Sequence, residues 1–181
     1  MSRIGRMPIT IPDGVNVTVD GNNLVTVTGK FGTLSQQVNK NIKVSIANNE
    51  ITLTRPDDEN KNKAMHGLYR MLIANMIEGV SKKFTKSIVI NGVGYKASKS
   101  GNKLILNIGF SHPVEIAEID GISIDCPNAT EITISGISKE AVGQFAAKIR
   151  AIKPVEPYHA YGIKYKDEVV VRKQGKTSGK K

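Results

Sequence analysis

The chain runs through one pattern of segments twice, and this repetition limits the folds that it can adopt. In each half, several short stretches of alternating apolar and polar residues precede one stretch with helical spacing of apolar residues. Residues 50–54, before the first helical stretch, resemble residues 131–135 before the second. Phe31 and Phe110 occupy similar places in a hairpin of each half.

Alternation with a period of two is typical of strands with one buried face. The sequence therefore predicts an α+β fold of two similar small domains, each an antiparallel sheet packed on one helix, that arose by internal duplication. Likeness over five residues also occurs by chance between β-rich chains, which leaves an unduplicated α+β fold open.

Turn-forming residues separate the predicted strands and indicate hairpins. Asp20-Gly21-Asn22-Asn23 and Ser100-Gly101-Asn102 have the composition of tight turns, and Asn48-Asn49 is a third such site. The strands predicted around these turns are residues 15–19, 24–28, 42–46, 51–54, 88–90, 95–98, 104–108, 122–124 and 132–134.

Two helices are predicted, at about residues 61–78 and 139–152. Gly79 is expected to end the first, and Ser138 is expected to cap the second. Apolar residues three and four apart form one stripe on each helix. The stripe residues are Met65, Leu68, Leu72 and Met76 on the first helix and Val142, Phe145, Ile149 and Ile152 on the second.

These elements place the domain junction near Ser81-Lys82-Lys83. The expected organisation is an N-terminal domain of residues 1–81, a C-terminal domain of residues 82–175 and a flexible basic tail of residues 176–181.

Positive charge is concentrated at the C-terminal end. The whole chain carries a formal net charge of +10, and residues 148–181 hold 10 basic and 3 acidic residues. The remaining residues, 1–147, hold 16 basic and 13 acidic residues. An excess confined to one end indicates a polyanionic partner, either nucleic acid or an anionic membrane surface. A membrane surface is the weaker alternative, because no basic amphipathic helix accompanies the charge.

Residue types that carry catalysis or bind metals do not come together in the sequence. Cys126 is the single cysteine, which excludes an intramolecular disulfide and fits a reducing cytoplasm. The three histidines lack metal-ligand spacing, and no acid–base pair or nucleophile set is present. Gly92-Val93-Gly94 is followed by a predicted strand instead of the helix that a nucleotide site requires. No catalytic, metal or cofactor site is therefore predicted, nor is a membrane span or a signal peptide.

The segment after the second helix interleaves tyrosines with lysines and is the predicted nucleic-acid site. Ammonium and guanidinium groups pair with phosphates, and tyrosine rings stack on unpaired bases. The predicted RNA-binding residues are Lys153, Tyr158, Tyr161, Lys164, Lys166, Arg172, Lys173, Lys176, Lys180 and Lys181. A solvated charged face with a basic tail that aids solubility is the alternative interpretation of the same residues.

Motifs spread over nearly the whole chain resemble the bacterial ribosomal protein L6 family. They begin with Met1-Ser2-Arg3-Ile4-Gly5-Arg6-Met7-Pro8-Ile9 and end with Pro154-Val155-Glu156-Pro157-Tyr158. Between them lie His66-Gly67-Leu68-Tyr69-Arg70 and Asn91-Gly92-Val93-Gly94-Tyr95. Each motif is modest alone, but their shared order and spacing are specific.

The resemblance implies a non-enzymatic protein of the cytoplasmic ribosome, with two duplicated α+β domains and no cofactor. It implies that the C-terminal domain docks on large-subunit ribosomal RNA near the sarcin–ricin region and the stalk base. Other proteins of the large subunit would be its neighbours there, and no homo-oligomer is expected. A protein-interaction module and a small-molecule enzyme remain as rival functions.

One segment departs from the family pattern. The family usually carries Tyr-Lys-Gly-Lys-Gly after the proline pair, whereas this chain has Tyr158-His159-Ala160-Tyr161-Gly162. Two positive charges are therefore absent from a segment that the resemblance assigns to RNA contact.

Overall fold

The computed structural model describes residues 3–176, which divide into two compact units. The first contains the residues up to Phe84 together with Ile137–Lys139. The second contains Thr85–Gly136 and the residues from Glu140 onward. The predicted domain limits and the independence of the basic tail stay predictions.

The first unit contains six short strands, a four-residue helix and one long helix. Its strands form two three-stranded sheets, in the orders β1-β6-β5 and β2-β3-β4, and every pair in them is antiparallel. The elements are α1 (Arg3–Arg6), β1 (Ile9–Thr10), β2 (Asn16–Val19), β3 (Leu24–Gly29), β4 (Gly32–Gln37), β5 (Lys43–Ala47), β6 (Glu50–Thr54) and α2 (Asn60–Lys82).

Alternation of residues in β3 explains how the β2-β3-β4 sheet packs on the core of the first unit. Val25 and Val27 are fully buried, and each pairs with an apolar residue of β2, Val19 and Val17 respectively. Asn23 closes the preceding turn with a φ of 64°, a left-handed conformation that asparagine tolerates better than most residues. The predicted hairpin at this turn is confirmed.

The buried face of α2 differs from the predicted stripe. Met76 is buried as predicted, but Leu68 is 54% exposed and Ile73 is fully buried in its place. The buried face also contains two polar residues, Asn62 and His66. The prediction from apolar spacing was therefore partly wrong for α2. The face that packs on the sheets includes polar side chains, whose hydrogen-bond partners lie within the protein.

Those partners satisfy the buried polar atoms of α2. The Asn62 amide donates to the Asp57 carboxylate at 2.7 Å. His66 Nε2 lies 2.9 Å from the carbonyl oxygen of Leu53. Since a carbonyl only accepts, Nε2 carries the proton, and Nδ1 can then accept from the Arg55 guanidinium at 3.3 Å. These bonds tie the start of α2 to the end of β6.

The second unit repeats this arrangement and adds one strand. Its sheets have the orders β10-β9-β8 and β11-β12-β7-β13. The first corresponds to β2-β3-β4, and β11-β12-β7 corresponds to β5-β6-β1. Among the described residues of the first unit, β13 therefore has no counterpart. The elements are β7 (Phe84–Asn91), β8 (Lys96–Ser100), β9 (Lys103–Asn107), β10 (Val114–Ala117), β11 (Ile122–Asn128), β12 (Glu131–Gly136), α3 (Lys139–Ile152) and β13 (Gly162–Tyr165).

The second helix was predicted closely. It spans Lys139–Ile152, and Val142, Phe145 and Ile149 of the predicted stripe are buried. Ile132 and Ile134 of β12, in the same unit, are also fully buried. The α+β class and the antiparallel sheets are confirmed, although each unit holds two sheets where the pattern suggested one. Alternation identifies strands but not which strands pair with each other.

Gly79 was expected to end α2, and this prediction was wrong. The helix continues to Lys82 and ends at Lys83, whose backbone N–H donates to the Gly79 carbonyl. A Cβ placed on Gly79 would collide with the carbonyl oxygen of Ile137, which belongs to the same unit. The glycine is required by this close approach of two backbones, inside the helix and not at its end.

Replacing this glycine provides a stability test with a matched control. Gly79→Ala should lower the free energy of unfolding by about 3 kcal/mol, because the Ile137 backbone must move to make room. Gly143→Ala should raise it by about 1 kcal/mol, since Gly143 lies exposed within α3 with nothing near its added Cβ. Urea denaturation measures both, and equal effects of the two changes would contradict the close approach.

Candidate nucleic-acid interface

The strand β13 positions the segment that was predicted to bind nucleic acid. Gly162–Tyr165 pairs antiparallel with β7, and Ile163 is fully buried. The Ile163 N–H also donates to the Lys153 carbonyl at 2.8 Å, and Pro154 forms a parallel bridge with Ile163. Residues 154–161 therefore form a loop whose two ends are held side by side. We call these residues the proline loop.

The carboxylate of Glu156 organises the proline loop from inside. It accepts the backbone N–H groups of Tyr158 at 2.7 Å, His159 at 2.6 Å and Tyr161 at 3.2 Å. The Glu156 N–H in turn donates to the Tyr161 carbonyl at 3.0 Å. Partial burial alone would raise the pKa of this carboxyl, but the three N–H donors outweigh it and hold the pKa below its ordinary value.

Two unusual backbone conformations complete the loop. Ala160 has a φ of 62°, in the left-handed region that costs a residue with a Cβ about 1–2 kcal/mol. Its carbonyl accepts a hydrogen bond of 2.7 Å from the Asn91 side chain at the end of β7. Gly162 has a φ of 135°, and a Cβ there would lie 2.6 Å from the Pro154 carbonyl oxygen.

The exposed side of the proline loop carries rings. Tyr158 is 53% exposed and Tyr161 is 38% exposed. The rings of His159 and Tyr161 stack at 5.5 Å between centroids, with an angle of 22° between their planes. Aromatic faces presented together in this way are the surfaces on which unpaired bases stack.

Basic residues of the chain end lie against the same loop. Arg172 donates to the His159 carbonyl at 2.7 Å, and the Lys173 N–H donates to the Pro157 carbonyl at 2.9 Å. A depression of about 400 Å³ opens between the two segments, and it is lined by Tyr158, His159, Lys173, Gly175 and Lys176. The structure thus brings together five of the predicted residues, which we call the aromatic–basic surface: Tyr158, Tyr161, Arg172, Lys173 and Lys176.

Two other predicted lysines have partners within the protein. The Lys166 ammonium pairs with Glu131 at 2.6 Å, although the lysine side chain is 64% exposed. The Lys164 ammonium is half-buried and donates to the Glu168 carbonyl at 3.3 Å. Lys180 and Lys181 lie outside the described residues.

Lys153 lies between a backbone carbonyl and two aromatic rings. Its half-buried ammonium donates to the Ile108 carbonyl at 2.7 Å. It also lies 4.7 Å from the ring centre of Tyr95 and 5.2 Å from that of Phe110. A cation held over two rings gains electrostatic stabilisation from both. In this structure Lys153 therefore joins two loops of the second unit to the end of α3.

An ion pair fixes the chain after β13. The Glu168 carboxylate accepts two hydrogen bonds from Arg150, at 2.7 and 3.0 Å, and one from the Tyr165 N–H at 3.1 Å. The Arg150 guanidinium holds the pKa of the Glu168 carboxyl below its ordinary value. The last turn of α3 is thereby attached to the segment that leads into the aromatic–basic surface.

Sequence reasoning missed Glu156, Asn91 and Glu168 as residues that shape this surface. Their partners are mostly backbone atoms, and some of these partners are far away in the chain. The one available signal was an acidic residue, Glu156, between two prolines of an otherwise basic segment.

The residues that were considered for catalysis or metal binding do not come together. Cys126 is half-buried, and burial raises the pKa of its thiol. His66 is buried in the first unit, whereas His112 and His159 are exposed. Within residues 3–176, no three His, Cys, Asp or Glu side chains form a group suited to a metal ion. Neither long helix of that range has the length and hydropathy of a membrane span.

Comparison with known families decides the family of this chain. The model of the family described as ribosomal protein L6 matches it twice, at residues 11–83 and 91–166. The chain belongs to the ribosomal protein L6 family. The two matches, one in each half, confirm the predicted duplication.

Relatives with this family's name align over nearly their whole length. The large ribosomal subunit protein uL6 of Shouchella clausii is 52% identical over 177 residues, which are 98% of this chain and 99% of the relative. The proteins of the same name from Desulfitobacterium hafniense and Caldicellulosiruptor bescii are 51% and 52% identical and cover 98% and 100% of their own lengths. The L6 family is a structural component of the ribosome, which confirms the prediction of a non-enzymatic ribosomal protein.

The departure from the family pattern now has a structural meaning. Ala160 stands where the family pattern has glycine, and its φ of 62° is one that glycine adopts without strain. Ala160→Gly should therefore raise the free energy of unfolding by about 0.5 kcal/mol, the relief of strain less the greater backbone entropy of glycine. Thermal denaturation measures this change, and a destabilised variant would contradict the assigned conformation.

The lowered pKa of Glu156 predicts how the proline loop responds to acid. A carboxyl with a lowered pKa stabilises the fold above its ordinary value of 4.5 and loses this contribution as the pH falls through the lowered pKa. The protection factors of the Tyr158, His159 and Tyr161 amides, which compare each exchange rate with that of an unfolded chain at the same pH, should therefore fall in acid more than those in the β7–β13 pairing.

Glu156→Gln is the control for this effect. A neutral amide keeps an acceptor oxygen but does not titrate, so exchange in the loop should be faster at neutral pH and should lose the acid-dependent step. An unchanged acid response in this variant would assign the effect to another group.

Proposed function

We propose that this chain is a structural constituent of the large ribosomal subunit and that its second unit binds large-subunit ribosomal RNA through the aromatic–basic surface. The observation that carries the proposal is that the basic chain end lies against the proline loop: Tyr158, Lys173 and Lys176 line one depression, and Arg172 donates to the His159 carbonyl beside Tyr161. Phosphates would meet the cations while unpaired bases would meet the rings. Membership of a ribosomal protein family supports ribosomal RNA as the polyanionic partner that the excess of positive charge indicates.

The predicted RNA-binding residues divide into two roles under this proposal. Arg172, Lys173 and Lys176 are exposed and contact phosphates. Lys153 and Lys164 keep their internal partners and hold the loops in place. Lys166, whose own side chain is exposed, can exchange its half-buried Glu131 partner for a phosphate, because an ion pair at the surface contributes little stability. Lys180 and Lys181 extend the basic segment beyond the described residues.

The resemblance further supports a location within the subunit. We place the contact near the sarcin–ricin region and the stalk base, where other large-subunit proteins would be neighbours and the role would be architectural. The chain would act there as a single copy in the cytoplasmic ribosome, without a cofactor.

The test is RNA affinity across a salt series. The full chain is titrated with a large-subunit rRNA fragment spanning the sarcin–ricin region and with an unrelated duplex of equal length. The logarithm of the affinity falls as the logarithm of the salt concentration rises, and Lys173→Gln should make this slope shallower by about one unit, because one counterion fewer is released. Lys40 of the first unit is also exposed, and Lys40→Gln should leave the slope unchanged.

Point changes are preferable to removal of everything after Ile152, because such a truncation deletes the fully buried Ile163. Equal affinity for the two RNAs, or equal slopes for the two variants, would refute selective binding through this surface. A protein-interaction role would then be the better proposal.

A further inference from the structure

Two loops of the second unit carry large apolar side chains into solvent. Val93, between β7 and β8, is 85% exposed, and Phe110, between β9 and β10, is 46% exposed. Both side chains are therefore accessible to a partner. These loops include the Gly92-Val93-Gly94 motif, which the proposed function above does not use. We call residues 92–95 and 108–112 the paired loops.

A shared cation couples the paired loops. The Lys153 ammonium donates to the Ile108 carbonyl at 2.7 Å and lies over the rings of both Tyr95 and Phe110. One side chain from the end of α3 thereby fixes a residue of each loop. The rings are held in place before any partner arrives.

Glycines allow the loops to close around Tyr95. A Cβ on Gly92 would collide with the Tyr95 ring, and a Cβ on Gly109 would lie 3.1 Å from it. Both glycines also have positive φ values, 158° and 77° respectively. The backbones of both loops thus pack closely on the Tyr95 ring, while nearly half of the Phe110 side chain remains exposed.

The paired loops continue into the aromatic–basic surface. Asn91, the residue directly before Gly92, donates its side-chain N–H to the Ala160 carbonyl at 2.7 Å. Ala160 is the residue between His159 and Tyr161 in the chain, whose rings stack on each other. Lys153 likewise leads directly into the proline loop at Pro154. The two surfaces therefore share their supporting residues within one unit.

We propose that the paired loops form a second RNA contact, in which Phe110 stacks on an unpaired base and Val93 packs beside it. This inference rests on the proposed function and adds a site that recognises single-stranded or looped RNA.

An unpaired base fits these features better than an apolar protein segment. A nucleotide brings a flat aromatic surface for Phe110 together with a phosphate, and the adjoining surface offers Arg172, Lys173 and Lys176 to its neighbours along the strand. An apolar peptide would leave that positive charge unmatched.

The first unit contains a matched control. Phe31 lies at the β3–β4 turn, which corresponds to the β9–β10 connection that carries Phe110. It is 38% exposed, and the Lys83 ammonium lies 4.7 Å from its ring centre. The Lys30 ammonium also lies 5.6 Å from this ring centre. Phe31 is thus an exposed ring beside cations, as Phe110 is, but it belongs to the unit that does not contain the aromatic–basic surface.

The absence of tryptophan from the chain makes a direct test possible. Phe110→Trp and Phe31→Trp each introduce a single indole, and each full-length variant is titrated with the rRNA fragment spanning the sarcin–ricin region. Stacking should strongly quench the fluorescence of Phe110→Trp and should leave that of Phe31→Trp nearly unchanged. A perfectly paired duplex should quench neither variant.

Affinity provides the second measurement. Phe110→Leu keeps an apolar side chain but removes the ring, and it should weaken binding of the rRNA fragment about tenfold. Phe31→Leu should leave affinity unchanged. Circular dichroism of each variant verifies the fold before titration.

The outcomes separate the two proposals. Selective binding of the fragment without quenching of Phe110→Trp, or with full affinity in Phe110→Leu, overturns the paired-loop contact and leaves the proposed function intact. Absence of selective binding by the unchanged chain overturns both proposals. Equal quenching of both tryptophan variants would also overturn the inference, because it would show contact without preference for the paired loops.

Discussion

The proline loop and the aromatic–basic surface both depend on the antiparallel pairing of β13 with β7. It buries Ile163 completely and holds the two ends of the proline loop together. The Glu156 carboxylate can then collect three backbone N–H groups, and Arg172 can reach the loop from the chain end. Four residues of strand thus convert a flexible basic sequence into an ordered surface.

This strand is also what distinguishes the two halves of a duplicated protein. Both units contain two matching sets of three strands and one long helix, but among the described residues β13 has no equivalent strand in the first unit. The exposed Tyr158 and Tyr161 lie directly before this added strand, and the positive charge excess of residues 148–181 surrounds it. Duplication supplied two similar cores, and the additional segment gave one of them a different surface.

The lysines that were predicted to bind RNA have unequal positions in the fold, although the sequence presents them alike. Lys153 lies half-buried against two rings, Lys164 is held by a backbone carbonyl, and Lys173 is exposed beside Tyr158. A buried ammonium requires internal partners to offset its desolvation, whereas an exposed one remains available to a phosphate. Position in the fold, not residue type, therefore decides which lysine can serve RNA.

The sequence by itself determined the α+β class, the repeated plan, both long helices and three hairpin turns, because these follow from local periodicity and turn residues such as Asp20-Gly21. It also located the basic, tyrosine-containing segment. Only tertiary structure decided that Gly79 lies inside a helix, that Asn62 and His66 face the core, and that Glu156 organises the loop. The physical reason is that backbone approaches and buried polar bonds join residues distant in sequence, and no local pattern records them.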